Sequence, residues 1–184
     1  KEVEAAIVWH KDVKLYAVND KNDDIRGYFY IDLYAREKKR GGAWMDDCRT
    51  RRITVNGSLQ TPIAFLTCNF SPALGDEPAL LTHDDVVTLF HEFGHTLHHI
   101  LTKVDFSDVS GIAGVKWDAV ELPSQFLENW AYSPECLEFL GKHYKTGAPL
   151  PEDMVSQLLL SKNFHSAMQM MRQLEFAIFD MNIY

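Results

Sequence analysis

Cysteine is scarce in this chain, and the three that occur, Cys48, Cys68 and Cys136, are far apart and form no CxxC pair. That excludes a disulfide framework and a thiolate zinc site, and it fits a reducing compartment. No run approaches the roughly eighteen consecutive apolar residues of a membrane-spanning helix. The start, Lys1-Glu2-Val3-Glu4, lacks the basic-then-apolar layout of a secretory signal. The expectation is a soluble, cytoplasmic protein with no membrane partner. Positive charge is also short: 18 Lys and Arg against 26 Asp and Glu give a formal net charge of −8. Residues 1–60 hold 12 basic and 10 acidic side chains, whereas the remainder holds 6 and 16. A polyanion is therefore disfavoured as a ligand for the second part. The basic stretch Arg36 to Arg52 carries no nucleic-acid-binding motif and is interrupted by Glu37, Asp46 and Asp47, so no nucleic-acid partner is expected.

What is present is an ordinary globular composition, 46% apolar and 24% charged, with no repeat and no low-complexity segment. Lys1 is not an initiator methionine and Tyr184 falls within an apolar helical pattern, so the chain reads as a fragment whose partner is the remainder of a longer polypeptide. Leu15 to Val18 and Tyr28 to Tyr34 read as strands of a hairpin joined by the polar stretch Asn19 to Asp24. Ile63 to Asn69 reads as another strand, and Pro62 at its start suggests a sheet edge. Helix dominates from Thr82 onward, with further helices from about Trp117 to Ala131, from about Pro134 to Tyr144, and from Pro151 toward the end. Met168, Met170 and Met171 read as core filling of the last helix. The class is mainly α, of the α+β kind. A small sheet with loops occupies residues 1–70 and a helical part residues 80–184.

The chemistry lies in His91-Glu92-Phe93-Gly94-His95. Two histidines at i and i+4 of a helix share one face, about 6 Å apart, so both imidazoles can reach one zinc ion while the glutamate between them serves as a base. Thr82 can cap that helix, and Asp84 and Asp85 suit its positive end. Val86, Phe90, Phe93, Leu97 and Leu101 recur as a buried stripe beside the face that carries Thr88, His91, His95 and Thr102. His98 and His99 read as surface or structural residues, and Gly94 as a point of close backbone approach.

Two histidines need a third ligand. Zincins that extend the motif helix require glycine and histidine three and six residues past the second histidine; here those positions are His98 and Leu101. That class is excluded. Further on, Glu121, Ser124, Gln125 and Glu128 form a polar helical stripe beside the apolar Ala119, Leu122, Phe126 and Trp130. Glu121 is the expected third ligand, Asp118 the alternative, and Ser124, Gln125 and Glu128 are candidates for hydrogen bonds that orient the metal-binding groups. The backbone of Ala64, Phe65 and Leu66 could pair with an extended peptide at the supposed edge, and Gly111 and Gly114 could hinge a loop over it.

His91 to His98, together with Glu121-Leu122-Pro123-Ser124-Gln125-Phe126-Leu127-Glu128-Asn129-Trp130, resembles the thimet oligopeptidase family of zinc peptidases. So do Gly27 to Trp44 and Ala64 to Phe70, and the resemblance spans most of the chain. It implies a zincin-like helical catalytic domain holding one zinc through the residues matching His91, His95 and Glu121. Glu92 would activate water against internal bonds of short peptides, with a substrate-contacting segment lying outside this sequence. A non-catalytic helical interaction module or inactive homologue is the alternative.

Overall fold

The protein is described here by a computed structural model covering residues 1–4 and 6–183. It separates into two compact units, Lys1–Ala131 and the part from Tyr132 onward. Within the first unit the motif helix packs on the sheet.

That unit contains β1 (Lys14–Asn19), β2 (Ile25–Tyr34), β3 (Trp44–Arg49), β4 (Arg52–Ile53), β5 (Leu59–Gln60) and β6 (Ile63–Phe70). β1 and β2 form the expected antiparallel pair. The four-stranded sheet runs β1-β2-β6-β3, with β2 and β6 parallel and β3 antiparallel to β6; β4 and β5 pair separately. β6 is therefore an inner strand, and the edge expected from Pro62 is overturned. Pro62 lies just ahead of the strand and enters the ladder through its carbonyl, which accepts from the Tyr28 amide at 3.0 Å, so its missing N–H is not called upon. The free edge beside β6 belongs to β3, which had no alternating pattern to announce it.

One face of this sheet is apolar. Phe29, Ala64, Leu66, Cys68 and Phe70 project from it and enclose Ile100 of α1 (His83–Ile100), with Leu89, Phe93 and Leu97 packed around them. Thr82 caps the helix through a reciprocal capping box: its hydroxyl accepts from the Asp85 amide at 3.2 Å, and the Asp85 carboxylate accepts from the Thr82 amide at 2.9 Å. The buried stripe ends on Ile100, which is fully buried, and Leu101, expected inside, is exposed. Gly27 explains the shift. A Cβ there would lie 2.7 Å from the Ile100 Cβ and 3.2 Å from the Pro62 carbonyl oxygen, so α1 crosses β2 at the one point where β2 has no side chain.

The other face is aromatic and charged. Trp9 packs on Tyr30 and Phe65 and donates its indole N–H to Asp32 at 3.0 Å. Arg36 grips the Asp32 carboxylate through two bonds of 2.7 Å, and the Lys39 ammonium donates to it at 2.8 Å and to the carbonyls of Tyr34 and Cys68. Burial alone would raise the Asp32 carboxyl, but these donors outweigh it and hold the value down to about 2.

After α1 the chain loops back to α2 (Leu122–Glu128), shorter than expected: Pro123, lacking an N–H, sits in the first turn, and residues 117–121 form turns. Its Leu122 and Phe126 are exposed, so the apolar stripe faces outward, and of the polar stripe Ser124 is fully buried.

The second unit carries α3 (Pro134–Leu140), α4 (Glu152–Ser161) and α5 (Ser166–Ile183). α3 stops at Gly141. The last expected helix is two helices, interrupted ahead of Ser166, where His165 has a φ of 54°. Met168, Met170 and Met171 are exposed rather than filling a core, because no described residue of α5 is buried.

Two outcomes follow for stability. Gly27→Ala should cost about 1–3 kcal/mol by overpacking, whereas Gly41→Ala, with open space around it, should leave the melting temperature unchanged; thermal unfolding of both variants decides this. Because the folded Asp32 carboxyl titrates below its ordinary range, its contribution, roughly 2 kcal/mol, is complete above about pH 5 and disappears as pH falls toward 2. Urea unfolding across that window should show this loss in the wild type, and Asp32→Asn should flatten it.

Candidate metal centre

α1 presents His91 and His95 side by side, with ring centroids 5.0 Å apart. Both Nε2 atoms lie 3.1 Å from the same carboxylate oxygen, Oε2 of Glu121, and the three donor atoms all fall within 4.8 Å of one another. Glu121 is not on α1. It occupies the N-cap of α2, and what carries it across is Gly94, where a Cβ would lie 2.6 Å from both the Pro123 carbonyl oxygen and the Ser124 Cα. The first turn of α2 thus rests on the backbone of α1 directly beneath the two histidines. The close approach expected at Gly94 is a helix crossing.

The donor set fits zinc. Ligands about 2 Å from a tetrahedral ion stand a little more than 3 Å from one another, close to the spacing seen here. Two imidazoles and one carboxylate also make the three-ligand set of a catalytic site, which leaves a coordination position open. Asp118, the alternative ligand, is exposed and lies outside the cluster.

The surrounding bonds orient these groups. Ser124, fully buried, donates its hydroxyl to the Glu121 backbone oxygen at 2.9 Å and to Oε2 at 2.8 Å. His91 donates its Nδ1 hydrogen to Oε1 of Glu128 at 2.6 Å, which fixes the tautomer and leaves Nε2 with its lone pair toward Glu121. Gln125 does not join them: it is exposed, and its link to the cluster is the backbone amide, which donates to the Glu121 oxygen at 2.9 Å. One residue per helical turn can face α1, and Ser124 and Glu128 take those places.

Electrostatics favour metal-ready ionisation. Burial works against ionising Glu121, but the Ser124 hydroxyl and the two imidazoles outweigh it and hold the carboxyl below its ordinary value. Burial lowers His95, more than offsetting the pull of Glu121, which favours the neutral ring that a metal requires. Glu92 is 6% exposed. Burial raises its carboxyl, His91 opposes this, the Glu121 charge adds to it, and the Met45 amide of β3 pulls it down. Glu92 therefore lies between the imidazoles and the free edge of the sheet.

That position of β3 is what sequence reasoning missed. Trp44-Met45-Asp46-Asp47 has no period of two, and the preceding Gly41-Gly42 reads only as a break, so the usual strand signal was absent. The residues expected to hold peptide are elsewhere. Ala64 and Leu66 are buried against α1, Phe65 packs on Trp9 and Tyr30, and their backbone is paired on both sides, so no further strand can add there. Gly111 and Gly114 have φ of 65° and 73° and are tightly packed, since a Cβ would meet His99 Nδ1 and the Asp108 carbonyl at 2.6 Å each. His99, read from the sequence as a surface or structural residue, is completely buried and so is not a surface residue.

The family model described as Peptidase family M3 matches residues 1–184. The chain is 60% identical to oligopeptidase A of Haemophilus influenzae over 176 residues, which is 96% of this chain and 26% of that protein. It is 55% identical to oligopeptidase A of Escherichia coli over 184 residues, covering 100% of this chain and 27% of that protein. With saccharolysin of Saccharomyces cerevisiae the identity is 37% over 188 residues, 100% of this chain and 26% of the relative. The chain thus spans about a quarter of the length of the curated relatives it matches. Matched along its whole length by the family model, and bearing the paired histidines and glutamate at one point, this chain belongs to peptidase family M3.

Proposed function

We propose that this chain is the zinc-binding core of a zincin-like metallo-oligopeptidase, which hydrolyses internal bonds of short peptides when joined to the remainder of its polypeptide. The observation that carries this reading is the shared approach of His91 Nε2 and His95 Nε2 to one oxygen of Glu121, each at 3.1 Å, with the buried Glu92 beside them. His91, His95 and Glu121 would hold the zinc, which when bound would supply Lewis acidity to a peptide carbonyl and to water. Glu92 takes the proton from the water whose oxygen adds to the carbonyl carbon. As the C–N bond breaks, it returns that proton to the departing nitrogen, and no covalent bond to the protein forms. Burial, which raises its carboxyl above the ordinary glutamate value, makes it a stronger base for the first of these roles. Glu128 and Ser124 hold His91 and Glu121 in the orientation a metal requires.

A substrate strand is best accommodated on β3 rather than β6. β3 ends the sheet, its outer backbone groups have no strand partner, and Met45 brings that edge beside Glu92. Backbone pairing of this kind tolerates many peptide sequences. The cytoplasm is the compartment we favour: all three cysteines are free thiols, as a reducing environment maintains them, and no helix among the described residues is long and apolar enough to cross a membrane.

In the full-length protein, stoichiometric zinc and chelator-sensitive cleavage of an internally quenched peptide, restored by added zinc, are the expected results. Metal content without peptide hydrolysis would overturn the assignment. Glu92→Gln should retain zinc while kcat falls about 10²–10⁴-fold. Glu128→Ala should weaken zinc affinity about 10–100-fold, measured by competition with a chelator.

A further inference from the structure

Four residues past the second histidine, α1 carries an imidazole that the metal site does not use. His99 is 0% exposed and touches two separate segments. Its Nδ1 accepts a hydrogen bond from the Ile112 amide at 3.4 Å. The ring hydrogen is therefore on Nε2, which donates to the backbone oxygen of Arg49, the last residue of β3, at 3.0 Å. Gly111 lies against the same ring, closely enough that a Cβ would be 2.6 Å from Nδ1. The loop is held from its other side too, since fully buried Ser110 donates its hydroxyl to the Val104 oxygen at 2.9 Å.

We infer that His99 is a positioning residue for peptide binding, locking the free edge of β3 and the loop around Gly111 to the same helix that holds the metal. The inference rests on the proposal that substrate pairs with β3. The logic is geometric. A peptide on β3 is presented to Glu92 at a depth set by how β3 sits against α1, and an edge strand has a neighbouring strand on one side only. Near Arg49 the anchor to α1 is the His99 bond. The ring also excludes an alternative register: its two nitrogens have fixed and opposite roles, so Arg49 and Ile112 cannot exchange places on it. Removing it leaves the Arg49 carbonyl and the Ile112 amide without their partner on α1, which the chain relieves by shifting the strand end and the loop.

The test uses the full-length protein loaded with zinc and a quenched peptide substrate. His99→Leu fills the space but breaks both bonds. It should raise KM about 5–10-fold, with kcat within about twofold and zinc content unchanged. His99→Gln, whose side-chain amide can still donate to the Arg49 oxygen, should recover most of the wild-type KM. Gly111→Ala, which strikes the same contact from the loop side, should reproduce the KM rise. Hydrogen exchange of zinc-free protein supplies a reading independent of turnover: in His99→Leu the amides of Met45 to Arg49 and of Ile112 should exchange at least about tenfold faster, with those of α1 protected as before. Unchanged KM and unchanged exchange in His99→Leu overturn the inference, as does a parallel loss of zinc and kcat. If exchange responds as expected but the wild-type protein cleaves no peptide, the peptidase reading fails and the anchoring role of His99 stands.

Discussion

The contact between Gly94 and the first turn of α2 is the constraint on which the site depends. A metal centre assembled from two segments needs their backbones closer than most side chains allow. The absence of a single Cβ in α1 supplies that closeness just where His91 and His95 emerge. A glycine inside a helix costs about 1 kcal/mol relative to alanine, and here the helix accepts that loss so that the carboxylate of Glu121 reaches both rings. Gly27 repeats the device on the far side of α1, setting the same helix onto the sheet through Ile100. α1 is thus held from two directions by positions that lack a side chain, and its orientation leaves little freedom.

Polarity on α2 follows from the same crossing. In a free-standing globule the apolar stripe of a helix turns inward; here Ser124 and Glu128 turn inward because the ring nitrogen of His91 and the carboxylate of Glu121 require partners there. Buried polar groups cost more when left unpaired than apolar groups cost when exposed one at a time, so the network decides the rotation of the helix.

Much of the site was legible in the sequence, for reasons specific to it. The i, i+4 spacing of His91 and His95, the cap at Thr82 and the spacing of Glu121, Ser124 and Glu128 are local patterns, and local patterns survive without knowledge of tertiary structure. Gln125 belonged to the same stripe on paper but falls outside because a seven-residue helix has too few turns to bury three neighbours. The order of the sheet was not legible. Pro62 suggested an edge through its missing donor, yet its carbonyl was the group in use, and β3 carries Asp46 and Asp47 where an alternating pattern would be expected. The stretch from Pro151 onward reads as one longer helix because no residue in the sequence breaks the pattern as firmly as the positive φ of His165 does in three dimensions.

Lys39 gives the fold a cation of its own. Its ammonium sits among the Asp32 carboxylate and the carbonyls of Tyr34 and Cys68, much as an alkali ion would, but it is tethered by four methylenes. A tethered ion cannot be diluted away or sequestered. The strand ends it gathers therefore owe nothing to the supply of free metal.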